Sequence, residues 1–574
     1  QLRRRQQRHA SRPQEMTGDD DQRPAGELSR RSFVATSVAG AIALHGSAIR
    51  GLSDGQVMEN DAMQQPFALD EATIDDLQTR MRAGHESAAS LVKQYLARID
   101  AIDQRGPSIN AVLELNPDAM AIASQLDGER KAGKVRGPLH GIPVLIKDNI
   151  DTADKMHTSA GSLALATNVA ARDSFVAERL RAAGAIILGK TNLSEWANFR
   201  STHSSSGWSG RGGQTRNPYA LDRTPSGSSS GSGSAAAANC CVVAIGTETD
   251  GSVTSPSAAA ALVGIKPTVG LVSRAGIIPI SHSQDTAGPM ARTIRDAAIL
   301  LGALTGVDAR DAATKASAGR SMSDYTSALD RDGLRSARIG VARKHYTGYS
   351  VETDKLLAAA LDLMKQHGAT IVDPADIATA GATDDAELDV LLYEFKADLD
   401  AYLANAAPGV GVRTLADLIA FNTKNASREL RYFGQELFEQ AQAKGRLTEK
   451  KYLDELANNH RLMREQGIDA TMSKFKLDAI VAPTQAPAAL IDLVNGDPGG
   501  GGSFTAPAAV AGYPHITVPM GFVRGLPVGL SFVGRAWSEA TLLKLAYAFE
   551  QAAPARHKPT FAATANLGDT RRGQ

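Results

Sequence analysis

The sequence predicts an α/β fold in which a single large mixed β-sheet forms a core covered by helices. From Phe67 onward, helical segments alternate with short apolar strands, which is the pattern of α/β domains. Strands lie near both ends of this region and helices fill its middle, so one sheet drawing strands from both ends is expected. A length of 574 residues suggests three or four domains at ~150 residues each. The pattern instead favours one domain over residues 67–560, followed by a tail at 561–574.

Hydrophobic periodicity and turn residues place the individual elements. The predicted helices are Glu71–Arg82, Ser87–Arg105, Phe175–Ala183, Ala235–Asn239, Lys355–His367, Asp384–Ala404, Leu415–Gly445 and Ser538–Ala552. The predicted strands are Gly141–Ile146, Ala185–Leu188, Val242–Ile245, Ala479–Ala482, His515–Val518 and Val528–Phe532. Residues 200–233 are expected to be irregular, and residues 247–252 to form a polar turn. The middle of the chain, residues 354–462, is helix-rich, and residues 495–504 form a glycine-rich stretch.

The N-terminal region is rich in arginine and predicts an export signal. Arg30 and Arg31 precede Phe33 and a short apolar run at 35–44, which resembles a twin-arginine signal. The run is shorter than the ~20 residues that span a membrane, and Gly46-Ser47-Ala48 supplies small residues for cleavage. The alternative is a basic surface helix followed by a buried one. Because the chain opens with Gln, Met16 is expected to be the true start.

We therefore expect residues 1–48 to be an export signal that contacts the twin-arginine translocation machinery transiently. The mature protein is then expected to be periplasmic or secreted, without stable membrane insertion.

Composition excludes several classes of protein. Lys+Arg and Asp+Glu both total 62, which argues against a nucleic-acid binder that works by bulk electrostatics. With 43% hydrophobic and 22% charged residues, wholesale disorder is excluded. The only cysteines are the neighbours Cys240 and Cys241, so there is no disulfide framework. The twelve histidines show no metal-ligand spacing, and neither a metal nor an organic cofactor is expected.

Two motif matches fail on their context. Residues 184–191 satisfy the phosphate-loop pattern, but the four residues between the glycines are Ala-Ile-Ile-Leu, which favour a strand over a flexible loop. Residues 227–231 satisfy the nucleophile-elbow pattern G-x-S-x-G, but a proline-containing loop precedes them where a hydrophobic strand is required. The histidines that could complete such a triad, His282 and His515, have no persuasive context. We reject both matches.

One constellation does indicate chemistry. Small residues at 228–239 precede the strand VVAIG and the turn 247–252, where Gly251 permits successive N–H groups to face one point. Such a nest can stabilise an oxyanion, and Ser252 at its end could attack a carbonyl. Lys147, at the end of a buried strand, could be its base, because desolvation lowers the pKa of a lysine. Composition alone fits equally well a flexible Ser/Gly-rich loop and an ordinary paired lysine.

At these residues the chain resembles the amidase signature family. The matching blocks are the Gly-Ser motif at 226–232, the nucleophile segment GTETDGS at 246–252, the lysine strand GIPVLIKDNID at 141–151, GKTNLSEWANF at 189–199, GIKPTVGLVSRAG, DTAGPMARTIRDAAIL at 285–300, GYPHITVPMG and GLPVGLSFVG. The resemblance extends from about Asp70 to Gln551. Within the family, KMHTSAGSLAL, SGWSGRGGQTRNP, AIGTETDGS and ISHSQDTAGPMAR resemble the bacterial peptide amidases.

The resemblance implies roles for individual residues. Ser252 matches the acyl-forming nucleophile, Ser228 the bridging serine that follows a cis peptide bond, and Lys147 the base that exchanges protons through Ser228. The backbone N–H groups of Thr249, Asp250, Gly251 and Ser252 are expected to form the oxyanion hole, with Ser229 hydrogen-bonded within the network. Thr254 stands where many relatives carry an arginine, which puts in doubt any role of that charge.

The implied reaction is hydrolysis of the C-terminal carboxamide of a peptide to the acid and ammonia. Three alternatives remain. A general aliphatic or aryl amidase shares the catalytic core. The A subunit of a tRNA-dependent amidotransferase shares it too, but works in the cytoplasm within a complex. A binding protein could keep the fold without the chemistry, but the presence of all three catalytic residues argues against this.

Overall fold

The computed structural model describes residues 67–498 and 501–567. The predicted export signal at 1–48 lies outside these residues, as do two residues of the glycine-rich stretch and residues 568–574 of the predicted tail. Two sheets occur in the described residues, one of eleven strands and one of two. The strands are β1 Val112–Leu115, β2 Pro143–Lys147, β3 Ile186–Thr191, β4 Trp208–Ser209, β5 Gly213–Gln214, β6 Val243–Glu248, β7 Val263–Lys266, β8 Thr286–Ala291, β9 Arg338–Val341, β10 Thr370–Val372, β11 Ala479–Pro483, β12 His515–Val523 and β13 Leu526–Val533.

The large sheet is mixed, and strands from both halves of the chain meet in it. Its order is β1-β3-β2-β6-β8-β7-β12-β13-β11-β9-β10. Strand β2 runs parallel to both β3 and β6, and β9 runs parallel to both β10 and β11, whereas the other pairs are antiparallel. The predicted fold class, one large mixed sheet covered by helices, is confirmed.

Helices cover this sheet and fill the middle of the chain. They are α1 Ile74–Arg82, α2 Ala88–Ile99, α3 Ala119–Lys131, α4 Phe175–Ala182, α5 Ser230–Ala237, α6 Thr254–Ala259, α7 Ile294–Leu304, α8 Val351–Gln366, α9 Asp384–Leu403, α10 Leu415–Lys424, α11 Ala426–Glu429, α12 Glu436–Gln442, α13 Lys450–Met463, α14 Asp469–Phe475, α15 Ala506–Ala511 and α16 Glu539–Ala552. No helix among the described residues is both long enough and apolar enough to cross a membrane.

The strands that carry the candidate site are buried throughout. Every residue of β2, β3 and β6 is buried, which is typical of parallel strands with both faces covered. Because β2 and β6 are parallel neighbours, their carboxyl ends lie at the same edge of the sheet. Lys147 ends β2, and Ser252 follows β6 by four residues. The sheet itself therefore brings these two segments together.

The structure also shows the local conformation of the two rejected motif matches, the phosphate loop and the nucleophile elbow. Residues 186–191 of the phosphate-loop match form β3, and the Lys190 ammonium donates to the Ile150 carbonyl at 2.6 Å and to Thr158 Oγ1 at 2.9 Å. In the G-x-S-x-G match, helix α5 begins at Ser230 without a strand directly before the motif. Both rejections agree with this local structure.

Several element predictions need correction. The predicted helix Leu415–Gly445 is three short helices, α10 to α12, because residues 430–435 leave the helix to place Phe433 against Trp208. That tertiary contact overrides helical periodicity. Helix α2 ends at Ile99 and continues as a π-helical turn to Gln104. The expected irregular stretch contains β4, β5 and the start of α5, and Thr247 and Glu248 of the predicted turn belong to β6.

The two cysteines lie between α5 and β6. Cys240 and Cys241 are free thiols, both fully buried, and the Cys240 N–H donates to the Ala235 carbonyl at 2.8 Å. Burial raises the pKa of the Cys241 thiol to about 12 and also raises that of Cys240. They therefore pack as small apolar side chains.

Candidate active site

Lys147 is fully buried at the end of β2 and contacts two of the predicted site segments. Its Nζ donates to Ser228 Oγ at 2.7 Å, to Thr247 Oγ1 at 2.9 Å and to the Thr247 carbonyl at 3.2 Å. Burial lowers the pKa of Lys147 to about 7, although the nearby Asp285 and Glu248 carboxylates act in the opposite direction. A lysine in this state can be neutral near neutral pH and can accept a proton.

Ser228 and Ser229 lie on the loop that enters α5. The Gly227–Ser228 peptide bond is cis, as the resemblance to the amidase signature family implies. The Ser228 carbonyl accepts the Ser194 N–H at 3.1 Å. Ser229 Oγ donates to the Thr247 carbonyl at 3.1 Å and accepts the Thr247 N–H at 3.2 Å, which ties the loop to β6. The expected hydrogen bonding of Ser229 within the network is therefore present.

Ser252 follows β6 with its hydroxyl group free. The residue is 8% exposed, and its carbonyl accepts the Ser229 N–H at 3.1 Å. Within the described part of the chain, the Ser252 hydroxyl has no hydrogen-bond partner, and the Ser228 hydroxyl is hydrogen-bonded to Lys147 alone. The structure thus joins Lys147 to Ser228 by a direct hydrogen bond and joins Ser252 to the same loop through the backbone.

The turn before Ser252 presents unpaired backbone donors. Among the described residues, no acceptor pairs with the N–H groups of Thr249, Asp250, Gly251 and Ser252. Gly251 adopts φ +77°, a left-handed conformation that suits glycine. The next two N–H groups, those of Val253 and Thr254, are instead satisfied by Glu248 Oε2 at 2.7 and 2.8 Å. Four successive donors are therefore available to an anion beside Ser252.

Thr254, where the family resemblance implies an arginine in many members, contributes to this local structure. Its Oγ1 donates to Glu248 Oε2 at 3.1 Å, in addition to its N–H bond with the same oxygen. The threonine therefore helps to fix the Glu248 carboxylate at the start of α6.

Small residues let these segments approach closely. At Gly246, an added Cβ would lie 2.6 Å from Ser229 Oγ, which is too close for a side chain. The glycine in β6 is thus required by the contact between that strand and the serine loop.

Sequence reasoning missed four residues of the site. Thr247 and Glu248 carry no predicted role, yet Thr247 Oγ1 accepts Lys147 Nζ and Glu248 Oε2 accepts the Val253 N–H. Asp285 Oδ1 accepts the Thr249 hydroxyl at 2.6 Å, and burial raises the pKa of this carboxyl to about 6. Gln284 Nε2 donates to the Thr249 carbonyl at 3.3 Å. The only signal for the last two was that both lie in the family-like block ISHSQDTAGPMAR.

Histidines take no part in this network. His515 is buried in β12, and its Nε2 lies 2.6 Å from Ser531 Oγ. Burial lowers the pKa of His515 to about 3. His282 Nδ1 lies 2.8 Å from Asp398 Oδ2. In the described residues neither ring is hydrogen-bonded to Lys147, Ser228 or Ser252.

One group of side chains in the described residues has the composition of a metal site. The ligand atoms of His282, Glu394 and Asp398 lie within 4.8 Å of one another. These atoms are already engaged, because Glu394 Oε1 accepts the Tyr452 hydroxyl at 2.7 Å and Asp398 Oδ2 accepts the His282 N–H at 3.0 Å. The arrangement fits an anchor for the 281–283 loop.

The chain is similar to known amidases over most of its length. The amidase family model matches residues 90–543. A probable amidase of Arabidopsis thaliana is 41% identical over 515 residues, which cover 87% of this chain and 94% of the relative. The A subunit of the glutamyl-tRNA(Gln) amidotransferase of Thermosynechococcus vestitus is 34% identical over 503 residues, which cover 84% of this chain and 98% of that relative.

Solved structures are similar over nearly the same length. Native peptide amidase from Stenotrophomonas maltophilia has 51% sequence identity and a TM-score of 0.83, covering 86% of this chain and 100% of that one. A peptide amidase in complex with the competitive inhibitor chymostatin has 52% identity and a TM-score of 0.83, covering 86% and 99%. The chain therefore belongs to the amidase family, and it is an enzyme that hydrolyses amides.

Proposed function

We propose that this amidase hydrolyses the C-terminal carboxamide of peptides to the free acid and ammonia. The observation that carries the mechanism is the 2.7 Å hydrogen bond between Lys147 Nζ and Ser228 Oγ in a fully buried site. The substrate class rests on the similarity to peptide amidases at 51–52% identity.

In the proposed acylation, neutral Lys147 takes the proton of the Ser228 hydroxyl while Ser228 takes the proton of the Ser252 hydroxyl. Ser252 Oγ attacks the amide carbonyl carbon, and the N–H groups of residues 249–252 stabilise the oxyanion. The relay returns the proton to the leaving nitrogen, the C–N bond breaks, and ammonia departs. The two serine hydroxyls need to come within hydrogen-bond distance when substrate binds, as is common for catalytic contacts that are open in the free enzyme.

In the proposed deacylation, the same relay takes a proton from water, and the resulting hydroxide attacks the acyl carbon. The ester bond to Ser252 breaks, and the proton returns to its oxygen. Together the two halves consume one amide and one water and produce one acid and one ammonia. The residues assigned to the relay supply every proton transfer, so the proposed reaction needs no metal or organic cofactor.

The test measures ammonia released from a blocked dipeptide amide. Wild-type protein is expected to release ammonia, and Ser252→Ala and Lys147→Ala to reduce kcat by at least about a thousandfold. Ser229→Ala is the matched comparison within the same loop and is expected to retain measurable activity. Unchanged release in Ser252→Ala or Lys147→Ala contradicts the assigned roles.

The alternative functions can be distinguished by the substrates that the isolated protein hydrolyses and by whether it needs partner chains. A general aliphatic or aryl amidase would hydrolyse a simple aliphatic amide or an anilide with a kcat/KM at least equal to that for the peptide amide. An amidotransferase subunit would need partner chains for its activity, whereas we expect the isolated chain to act on a small peptide amide without nucleic acid.

We also propose that the protein is exported by the twin-arginine route to the periplasm or beyond. Support comes from Arg30, Arg31 and the following apolar run. The full chain should appear in the periplasmic fraction of a bacterial host, and the Arg30→Lys, Arg31→Lys double variant should stay in the cytoplasm. Equal export of both proteins would contradict the proposal.

A further inference from the structure

Thr249, the first residue of the unpaired-donor turn, is held by two consecutive residues of a distant loop. Asp285 Oδ1 accepts the Thr249 hydroxyl at 2.6 Å, and Gln284 Nε2 donates to the Thr249 carbonyl at 3.3 Å. Gln284 is only 2% exposed, so water does not compete for its amide. The same loop therefore fixes both the side chain and the carbonyl of Thr249.

Fixing this carbonyl also fixes a backbone donor. In a trans peptide unit, the carbonyl of one residue and the N–H of the next point in opposite directions within one plane. The Thr249 carbonyl and the Asp250 N–H belong to the same peptide unit. When Gln284 holds the carbonyl, it sets the direction of the Asp250 N–H, which has no acceptor among the described residues.

The loop that carries Gln284 is in turn held by α9. Three acidic residues of this helix, at positions i, i+7 and i+11, share one face. Glu387 Oε1 accepts Gln284 Nε2 at 2.9 Å, Glu394 Oε2 accepts the Ser283 N–H at 3.0 Å, and Asp398 Oδ2 accepts the His282 N–H at 3.0 Å.

The other side of the loop is closed by Asp285. Its Oδ2 accepts the N–H groups of Ile280 and Ser281 at 2.8 and 2.9 Å, while its Oδ1 holds Thr249. Helix α9, the 280–285 loop and Thr249 therefore form one continuous hydrogen-bonded chain that ends at the turn before Ser252.

We propose that Gln284 is a positioning residue for the oxyanion hole, and that α9 holds Gln284 in place through Glu387. This inference rests on the proposed function, since it takes the N–H groups of residues 249–252 as the oxyanion donors. It gives part of the helix-rich middle a defined role, because α9 then aligns a donor in the turn that follows strand β6.

The first experiment compares Gln284→Ala and Gln284→Glu with wild type on an amide that the wild type hydrolyses. Loss of one oxyanion donor costs about 10²–10³ in kcat, so a misdirected donor should cost about tenfold or more, with KM within about threefold of wild type. Gln284→Glu keeps the size of the side chain and removes its N–H donor, and it decides the result if Gln284→Ala does not fold.

A second readout separates positioning from general structural damage. A peptide aldehyde forms a hemiacetal whose oxygen occupies the oxyanion position, so its inhibition constant should rise in parallel with the loss of kcat. The inhibition constant of the peptide acid, which forms no such adduct, should stay within about threefold. Glu387→Gln retains an acceptor for Gln284 and should keep kcat near wild type, whereas Glu387→Ala should lose activity as Gln284→Ala does.

Gln78→Ala is the matched control. Gln78 is 5% exposed, and its Nε2 also makes two hydrogen bonds, to the carbonyls of Pro138 at 2.7 Å and His140 at 3.0 Å. This variant should lower the Tm and leave kcat unchanged.

The proposal is overturned if Gln284→Ala, or Gln284→Glu in its place, keeps wild-type kcat and aldehyde inhibition. It is also overturned if Gln78→Ala loses kcat to the same extent. A Ser252→Ala variant that retains full activity instead identifies failure of the proposed function, and the inference falls with it. If Ser252→Ala loses all activity while the Gln284 variants keep wild-type kcat, only the positioning role of Gln284 is wrong and the proposed function stands.

Discussion

At the scale of single residues, the proposed mechanism makes the pH dependence of the enzyme follow the protonation state of Lys147. Burial lowers its pKa to about 7, from 10.5 for an ordinary lysine. The proposed base is the neutral form, which predominates above this pKa and disappears below it. We therefore expect kcat/KM to rise with pH through a midpoint of about 7 and to level off above it.

A pH–rate profile on a peptide amide checks this prediction, because the substrate itself does not titrate in that range. An acid limb centred at about pH 4 would indicate that a carboxylate controls the reaction and would contradict the assignment to Lys147. Protein stability should be followed across the same range to separate unfolding from titration.

Local sequence was enough for part of the site. Lys147, Ser228 and Ser252 stand in segments with recognisable residues around them, and the structure places the first two in direct contact. Thr247 could not be recognised as a partner of Lys147, because the two are 100 residues apart and meet only when β2 and β6 pair. Gln284 and Glu387 likewise become neighbours only through the packing of α9.

At the scale of elements, the turn between β6 and α6 depends on the conformation of one glycine. Gly251 has φ +77°, and an added Cβ would lie 2.9 Å from Ser255 Oγ. Gly251→Ala should cost about 1–2 kcal/mol for the left-handed backbone. It should also reduce kcat by tenfold or more, about the effect of disturbing an oxyanion donor, because the turn must move to relieve the contact.

Gly84→Ala provides the comparison for this variant. Gly84 has φ +74° and nothing within 4 Å of an added Cβ. Gly84→Ala should lower the midpoint of urea unfolding about as much as Gly251→Ala does, and its kcat should be unchanged. Equal kcat in the two alanine variants would show that the turn at 251 tolerates the change.

Strands with continuous apolar runs were predictable, and strands with interrupted runs were not. The predicted strands that became β2, β3 and β6 are continuous buried segments, and the structure extends the last two by a few residues. The strands β7 to β10 were missed because none of them has more than two consecutive apolar residues, whereas β2, β3 and β6 each have three. Their pairing comes from neighbouring strands, which a local pattern does not contain.

At the scale of the whole molecule, Arg556 joins the two ends of the described chain. It donates to Glu71 Oε2 at 2.7 Å, to the Ala261 carbonyl at 2.9 Å and to the Ala237 carbonyl at 3.2 Å. Because this guanidinium is largely buried and its partners would be left unpaired, Arg556→Ala should destabilise the protein by about 2–4 kcal/mol.

Lys558→Ala is the control for that prediction. Lys558 Nζ lies 2.7 Å from Asp70 Oδ2 in the same region, but its side chain is 59% exposed. An exposed ion pair contributes about 0–1 kcal/mol, so the urea midpoint should move little. If Arg556→Ala and Lys558→Ala shift the urea midpoint equally, the buried contacts of Arg556 contribute no more to stability than the exposed ion pair does.

The single large sheet was predictable because its strands come from both ends of the sequence pattern. The order of the strands in the sheet was not predictable. Six strands, among them β11, β12 and β13 from the end of the chain, lie between β2 and β9 in the sheet. That order results from side-chain packing between distant segments, and no turn or spacing in the sequence records it.

The two buried thiols allow local opening of the native structure to be measured by chemical labelling. Cys240 and Cys241 are the only cysteines in the chain, and they lie between the helix that follows Ser228 and the strand that leads to Ser252. Because both thiols are fully buried, a thiol reagent reaches them only when the packing around them opens, so the labelling rate measures how often this region beside the candidate site opens. We expect negligible labelling of the native enzyme over hours and two equivalents in urea. A bound peptide aldehyde should slow the labelling at intermediate urea, and labelling as fast as that of a free thiol without urea would show that this region opens readily.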